Sequence, residues 1–100
     1  NKGAEVDSLD KGGYSAMMLA ASNNFPFIVE LLIEKGADVN RIETTNGWTA
    51  LIWATKRGHE ETVQVLINHQ ADKSIKDYTG LNAIDYAQQK NFKTIQQLLQ

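Results

Sequence analysis

Three stretches of the chain carry apolar residues at helical spacing. In "PFIVELLIEK", "EETVQVLINH" and "KTIQQLLQ", the positions Ile28, Leu31 and Leu32 recur as Thr62, Val65 and Leu66, then as Ile95, Leu98 and Leu99. Gaps of three and four place each set on one face of a helix. Ahead of each stands a shorter pattern: "GYSAMMLAA", "GWTALIWAT" and "GLNAIDYAQ". Here an alanine (Ala16, Ala50, Ala83) leads into an apolar pair split by one residue: Met17 and Leu19, Leu51 and Trp53, Ile84 and Tyr86. Trp53 is expected to face the core, as are Leu19 and Tyr86 at the same position.

The punctuation between these runs agrees with helices. Ser15, Thr49 and Asn82 precede the alanines, and a short side-chain oxygen there can accept from an orphan N–H of the first turn. Asn82 and Asp85 have the spacing of a capping box. Asn24, Gly58 and Asn91 fall where the short helix must stop, and both residue types tolerate the left-handed conformation that closes a helix. Pro26 suits the first turn of the second helix, and Glu60 and Glu61 suit its positive end.

The pattern repeats. Gly13, Gly47 and Gly80 stand at spacings of 34 and 33, and Gly3, Gly36 and Gln70 at 33 and 34. A fixed period in this range marks a stacked-repeat architecture. The unit is helix, turn, helix, then a protruding loop. The spacing divides the chain into residues 1–9, the tail of a preceding repeat, then repeats over 10–42, 43–76 and 77–100. One extra residue around Glu43–Asn46 should enlarge one loop tip. The second helices carry Val29, Val63 and then Gln96, with Gln88, Gln89, Gln97 and Gln100 around the last. A terminal repeat needs a polar outer side, so 77–100 is expected to cap the stack. The opposite end should leave Met17, Leu19 and Ile28 short of cover, and self-association there is an expectation.

The stretches "GWTALIWATKRGHEETVQVLI", "LLIEKGADVN" and "GLNAIDYA" resemble the ankyrin repeat, and the resemblance runs over essentially the whole chain. It implies an all-α solenoid of stacked helix-turn-helix units with protruding β-turn loops, used for protein–protein recognition. The family usually opens its first helix with Thr-Pro-Leu-His. Here Ser-Ala-Met-Met, Thr-Ala-Leu-Ile and Asn-Ala-Ile-Asp stand in its place. His59 occupies a position where the family places a turn-supporting histidine, so its role is expected to be structural. His69 is expected at the surface.

Composition narrows the function further. The chain is 42% hydrophobic and 22% charged, ordinary globular usage for one small domain. A formal net charge of −2 argues against nucleic acid or anionic membrane as the main partner. There is no cysteine for a disulfide or thiolate metal site, which fits an intracellular setting, cytoplasmic or nuclear. The glycines never cluster as a phosphate loop, and neither histidine has a recurring partner at ligand spacing. No catalytic signature emerges, so neither enzyme activity nor a cofactor or metal is expected.

The residues that the repeat leaves unexplained point to a binding surface. Tyr14, Trp48 and Leu81 lie between turn glycine and N-cap, on an edge that the resemblance places in the concave groove. They are expected to form a ladder there. Exposed aromatic ladders mark interfaces, and tryptophan, tyrosine and arginine dominate hot spots. Around them should lie the ends of the first helices, with Ser22, Asn23, Lys56, Arg57, Gln88 and Gln89. Loop tips contribute Lys11, Asn46 and Tyr78, with Thr45 and Thr79 beside them. Lys56 and Arg57 give the groove a basic centre suited to an acidic protein or peptide partner. Two other readings follow from the same residues: a regulatory or targeting module of a larger enzyme or channel, and a structural spacer.

Overall fold

The computed structural model describes residues 15–100. Six helices follow in order: α1 (Ala16–Ser22), α2 (Pro26–Glu34), α3 (Ala50–Lys56), α4 (Glu60–Asn68), α5 (Ala83–Gln89) and α6 (Lys93–Leu99). No strand occurs among the described residues. Helices α1, α3 and α5 stack as an inner row, and α2, α4 and α6 as an outer row. Each inner helix also packs on the outer helix that follows it. The expected unit of helix, turn and helix is therefore present three times. The segment 1–9, read as the tail of a preceding repeat, lies outside the described residues.

Capping follows the sequence pattern. Ser15 Oγ accepts from the Met18 amide at 3.3 Å, and Thr49 Oγ1 from the Ile52 amide at 3.2 Å. Asn82 and Asp85 form the capping box in both directions, at 3.1 and 3.0 Å. These bonds fix where helices too short to be stable alone must begin. At the other end, Asn24, Gly58 and Asn91 all take φ values between 60° and 73°.

The core departs from expectation on the inner row. Met18 and Ile52 are buried beside Met17 and Leu51, whereas Leu19 is 51% exposed and Trp53 only half-buried. Residues two apart on a helix point to nearly opposite sides, so Met17 and Leu19 cannot share a face, nor can Leu51 and Trp53. Tyr86 alone of its position is buried, and Ala20, Ala54 and Ala87 let neighbouring inner helices approach closely. On the outer row, Val29, Val63, Leu66, Ile95 and Leu99 are buried. In the first repeat Leu19 and Ile28 are exposed, whereas Met17 is buried. Thr62 and Ile95, the counterparts of Ile28, are buried where each meets the preceding repeat.

The added residue of the second loop is absorbed by a side chain. In the third loop, Asp77 N donates to the Leu81 carbonyl, and Gly80 N returns to Asp77 O, a three-residue step. In the second loop, Glu43 N donates to Trp48 O, and Gly47 N returns to Glu43 O, a four-residue step. Glu43 is fully buried. Its carboxylate accepts from the amides of Thr45, Asn46 and Trp48 at 2.7, 2.8 and 3.2 Å. The wider turn is met by one more methylene.

Two measurements check this account. Ile52→Ala should cost about 2–4 kcal/mol, as loss of a buried branched chain does, and Trp53→Ala clearly less, since part of its ring already meets solvent. Chemical denaturation of both variants decides the order. Gln70 occupies the turn position that Gly36 fills in the preceding repeat, at φ 65°. A side chain there is strained, so Gln70→Gly should raise stability by about 0.5–1 kcal/mol, read as a higher denaturation midpoint at unchanged slope.

Candidate interaction surface

The third loop delivers a carboxylate to the seam between the second and third repeats. Asp77 Oδ1 accepts from the Thr79 amide at 2.9 Å, the Thr79 hydroxyl at 2.6 Å and the Leu81 amide at 3.1 Å. These bonds hold the loop as an Asx turn. Its other oxygen, Oδ2, faces outward from the turn. It accepts the indole N–H of Trp48 at 2.9 Å and the phenol O–H of Tyr86. One side chain thus joins the edge of one repeat to the loop and inner helix of the next.

Around that junction the rings assemble. Trp48 meets Trp53 edge to face, with centroids 4.7 Å apart and planes at 85°. It meets Tyr86 at 6.5 Å and 79°. The Lys56 ammonium lies 4.6 Å from the Trp48 ring centre and 4.2 Å from that of Tyr86. The Arg57 guanidinium lies 5.7 Å from Trp53. Edge-to-face geometry suits ring quadrupoles, and cations over ring faces gain by the same electrostatics.

Titration reflects this packing. Asp77 is only 6% exposed. Burial works to raise its pKa, but hydrogen bonds from Thr79, Tyr86, Leu81 and Trp48 outweigh it and hold the carboxyl well below the usual range. Burial and then the bond to Asp77 raise the Tyr86 phenol. Burial and then the neighbouring Lys90 lower the Lys56 ammonium, against an opposing pull from Asp77.

The expected surface residues separate into groups. Trp48 and Lys56 come together, with Arg57 one ring away. Trp48 does not stand free in solvent: it is half-buried and anchored through Asp77. Leu81 is half-buried against the core. Asn46 and Tyr78 join loop tips, Tyr78 N donating to Asn46 O at 3.0 Å. The Tyr78 ring also lies 2.7 Å from where a Cβ on Gly47 would sit, so only glycine fits there at φ 75°. Ser22 offers its carbonyl to His59 Nε2 at 3.0 Å, and Asn23 Nδ2 bonds Leu19 O at 2.8 Å within α1. Gln88 and Gln89 are exposed at the end of α5. Tyr14 and Lys11 lie outside the described residues.

Histidine serves the stack. His59 spans from the second repeat to the first through Ser22, and His69 lies 3.4 Å from Glu30 of α2. No group of three or more potential metal-ligating side chains occurs among the described residues. Sequence reasoning missed Asp77, Tyr86 and Trp53 as members of this surface, and Glu43 as the buried counterpart of Asp77 in the second loop. A signal existed: Asp10, Glu43 and Asp77 recur at 33 and 34, just ahead of the turn glycines.

Asp77 yields a pH prediction. Its folded pKa lies below the unfolded value, so its contribution is fully present above that value, about 4, and is lost as pH falls beneath it. Asp77→Asn should cost about 2 kcal/mol at neutral pH, as loss of charge-assisted bonds does. The gap between variant and parent should narrow from about pH 4 downward. Denaturation of both proteins at neutral pH and near pH 3 tests this. An equal gap at both would show that the carboxylate charge is not what the Trp48 and Tyr86 donors require.

Comparison with known proteins agrees with the stack. The model described as "Ankyrin repeats (3 copies)" matches residues 41–100, and that of a single "Ankyrin repeat" matches residues 12–41. The chain is 39% identical over 80 residues to ankyrin repeat and SAM domain-containing protein 6 of Rattus norvegicus, covering 80% of this chain and 9% of that protein. It is 35% identical over 85 residues to ankyrin repeat protein nuc-2 of Neurospora crassa, covering 85% and 8%. To ankyrin repeat domain-containing protein 40 of Homo sapiens it is 37% identical over 67 residues, covering 67% and 18%. The chain therefore spans less than a fifth of the length of each of these three relatives.

Proposed function

Because the chain belongs to the ankyrin repeat family, we propose that it recognises a protein or peptide partner through the surface shared by its inner helices and loop tips. Ankyrin repeats are generally protein–protein interaction modules rather than catalysts. The observation that carries the proposal is the ring cluster of Trp48, Trp53 and Tyr86 with Lys56 laid across it. Trp53 holds a large ring where its counterpart Leu19 is a smaller exposed chain. Large rings fixed by neighbours lose little freedom when a partner lands on them, a trait of interface hot spots. Lys56 and Arg57 at its centre favour an acidic segment over a basic one. The net charge of −2 disfavours nucleic acid and anionic membrane as partners. Among the described residues no helix is long and apolar enough to cross a membrane. The absence of cysteine supports an intracellular setting.

Two narrower readings stand beside this one. The small share of each relative that the chain spans supports a module within a longer protein, with partner and regulation set by the whole. The other is self-association through the first repeat, where Leu19, Phe25, Ile28 and Leu31 are exposed. A spacer has no use for the ring cluster, and we set that reading aside.

Selection of a random peptide library on the immobilised protein tests the groove, with bound peptides mapped by amide and indole chemical shifts. Perturbations should centre on Trp48, Trp53, Lys56 and Gln88. Shifts confined to the outer row, around Phe27, Glu34 and Glu61, would move the binding face to the opposite side. Sedimentation of the free protein should show concentration-dependent association if the first repeat self-pairs, and a monomer throughout if it does not.

A further inference from the structure

Lys90 stands at the end of the third inner helix, on the same side of the stack as Lys56 and Arg57. It caps the C-terminus of α5, as Arg57 caps α3 and Asn23 caps α1. The inner helices stack side by side, so these caps form a row along one edge of the inner face. Lys56, the last residue of α3, leans across Trp48 and Tyr86 and thus reaches from the second repeat onto the third. The charge of Lys90, at the end of the next inner helix, works with burial to disfavour the charge on Lys56. Three cations therefore share the edge in a chain whose net charge is negative.

Among the described residues, no carboxylate forms an ion pair with them. Asp77, the acidic group that pulls on Lys56, has its oxygens occupied by five donors. Glu43 is buried in its own loop, and Asp85 is held by the Asn82 amide in the capping box. Glu30, Glu34, Glu60 and Glu61 belong to the outer row. A cation at a helix C-terminus is ordinarily explained by the dipole. That accounts for Arg57 and Lys90 one at a time. It does not account for Lys56 being laid over two rings, partly desolvated, beside a like charge.

We propose that this edge is an acidic-segment clamp: an extended stretch of a partner protein lays a carboxylate between Lys56 and Lys90, a second near Arg57, and its apolar side chains on Trp48 and Trp53. The assignment rests on the groove reading above and deepens it. An anion between Lys56 and Lys90 relieves their repulsion, and the rings beneath exclude water from one side of the pair, which strengthens it. Arg57 over Trp53 presents a fork for bidentate carboxylate contact. The clamp spans the second and third repeats, so binding should also tie the third repeat to its neighbour.

The test uses the whole chain and the peptides from the library selection, labelled and followed by fluorescence anisotropy. Selected peptides should be enriched in Asp and Glu next to an apolar residue. Lys56→Gln and Lys90→Gln should each weaken the best peptide by about threefold to tenfold, and affinity should fall steeply with added salt. Lys93→Gln, an exposed cation on α6, should leave affinity within about twofold. Melting midpoints of the Lys90 and Lys93 variants should stay within about 5 °C of the parent, the most that loss of one helix-end cation costs, separating a binding effect from a folding one. Peptides that map to the inner face but are uncharged or basic would overturn the clamp while leaving the groove reading intact. Peptides that map to the outer row would overturn both, as would the absence of any enriched peptide. Tighter binding of a labelled single-stranded oligonucleotide than of any acidic peptide would also overturn the clamp, by assigning the cations to phosphate.

Discussion

The seam between the second and third repeats hangs on one carboxylate. Asp77 shapes its own loop with one oxygen and holds Trp48 and Tyr86 with the other. Without it, a buried phenol and a half-buried indole would each lose their acceptor, and an unmet donor costs more than the bond contributes when made. The rings could not then keep their edge-to-face geometry, and Lys56 would lose the faces on which it rests. A loop turn, a repeat interface and a presented surface are thus settled by the same group.

Elsewhere the stack is aligned by smaller versions of the same device. His59 reaches Ser22, Thr62 Oγ1 donates to Asn24 Oδ1 at 3.0 Å, and the Asp72 amide donates to Asn40 Oδ1 at 2.7 Å. Burial of Val29, Val63, Leu66 and Ile95 supplies the attraction between repeats but is indifferent to small sliding. Directional bonds at the helix ends and loop tips are not. In a linear array where each unit touches only its neighbours, such bonds fix the relative rotation of successive repeats.

What could be read from the chain was what depends on neighbours in sequence. The caps at Ser15, Thr49 and Asn82 and the turns at Asn24, Gly58 and Asn91 involve contacts a few residues apart, so residue type and spacing sufficed. The inner helices were misjudged where spacing was read too loosely. Leu19 and Trp53 stand at the repeat position expected to face the core, yet Met18 and Ile52 lie on the buried side. The surface was half legible. Trp48, Lys56 and Arg57 stood out as departures from the repeat. Their union with Asp77 and Tyr86 crosses 29 and 38 positions, as from Trp48 to each, and no local pattern encodes a bond of that reach. Trp48 therefore looked like a free ring when it is a tethered one.

The paired loops at Glu43 and Asp77 bear on how such arrays change over time. In one, a four-residue step is closed by glutamate; in the other, a three-residue step is closed by aspartate. Insertion of a residue without the longer acid would leave the amides of Thr45, Asn46 and Trp48 without their acceptor. The longer acid without the insertion would crowd the turn. The two alterations are tolerable together and harmful singly. Finger length in this stack thus differs by one residue between neighbouring loops while the helices beneath them stack alike, and one methylene makes up the difference.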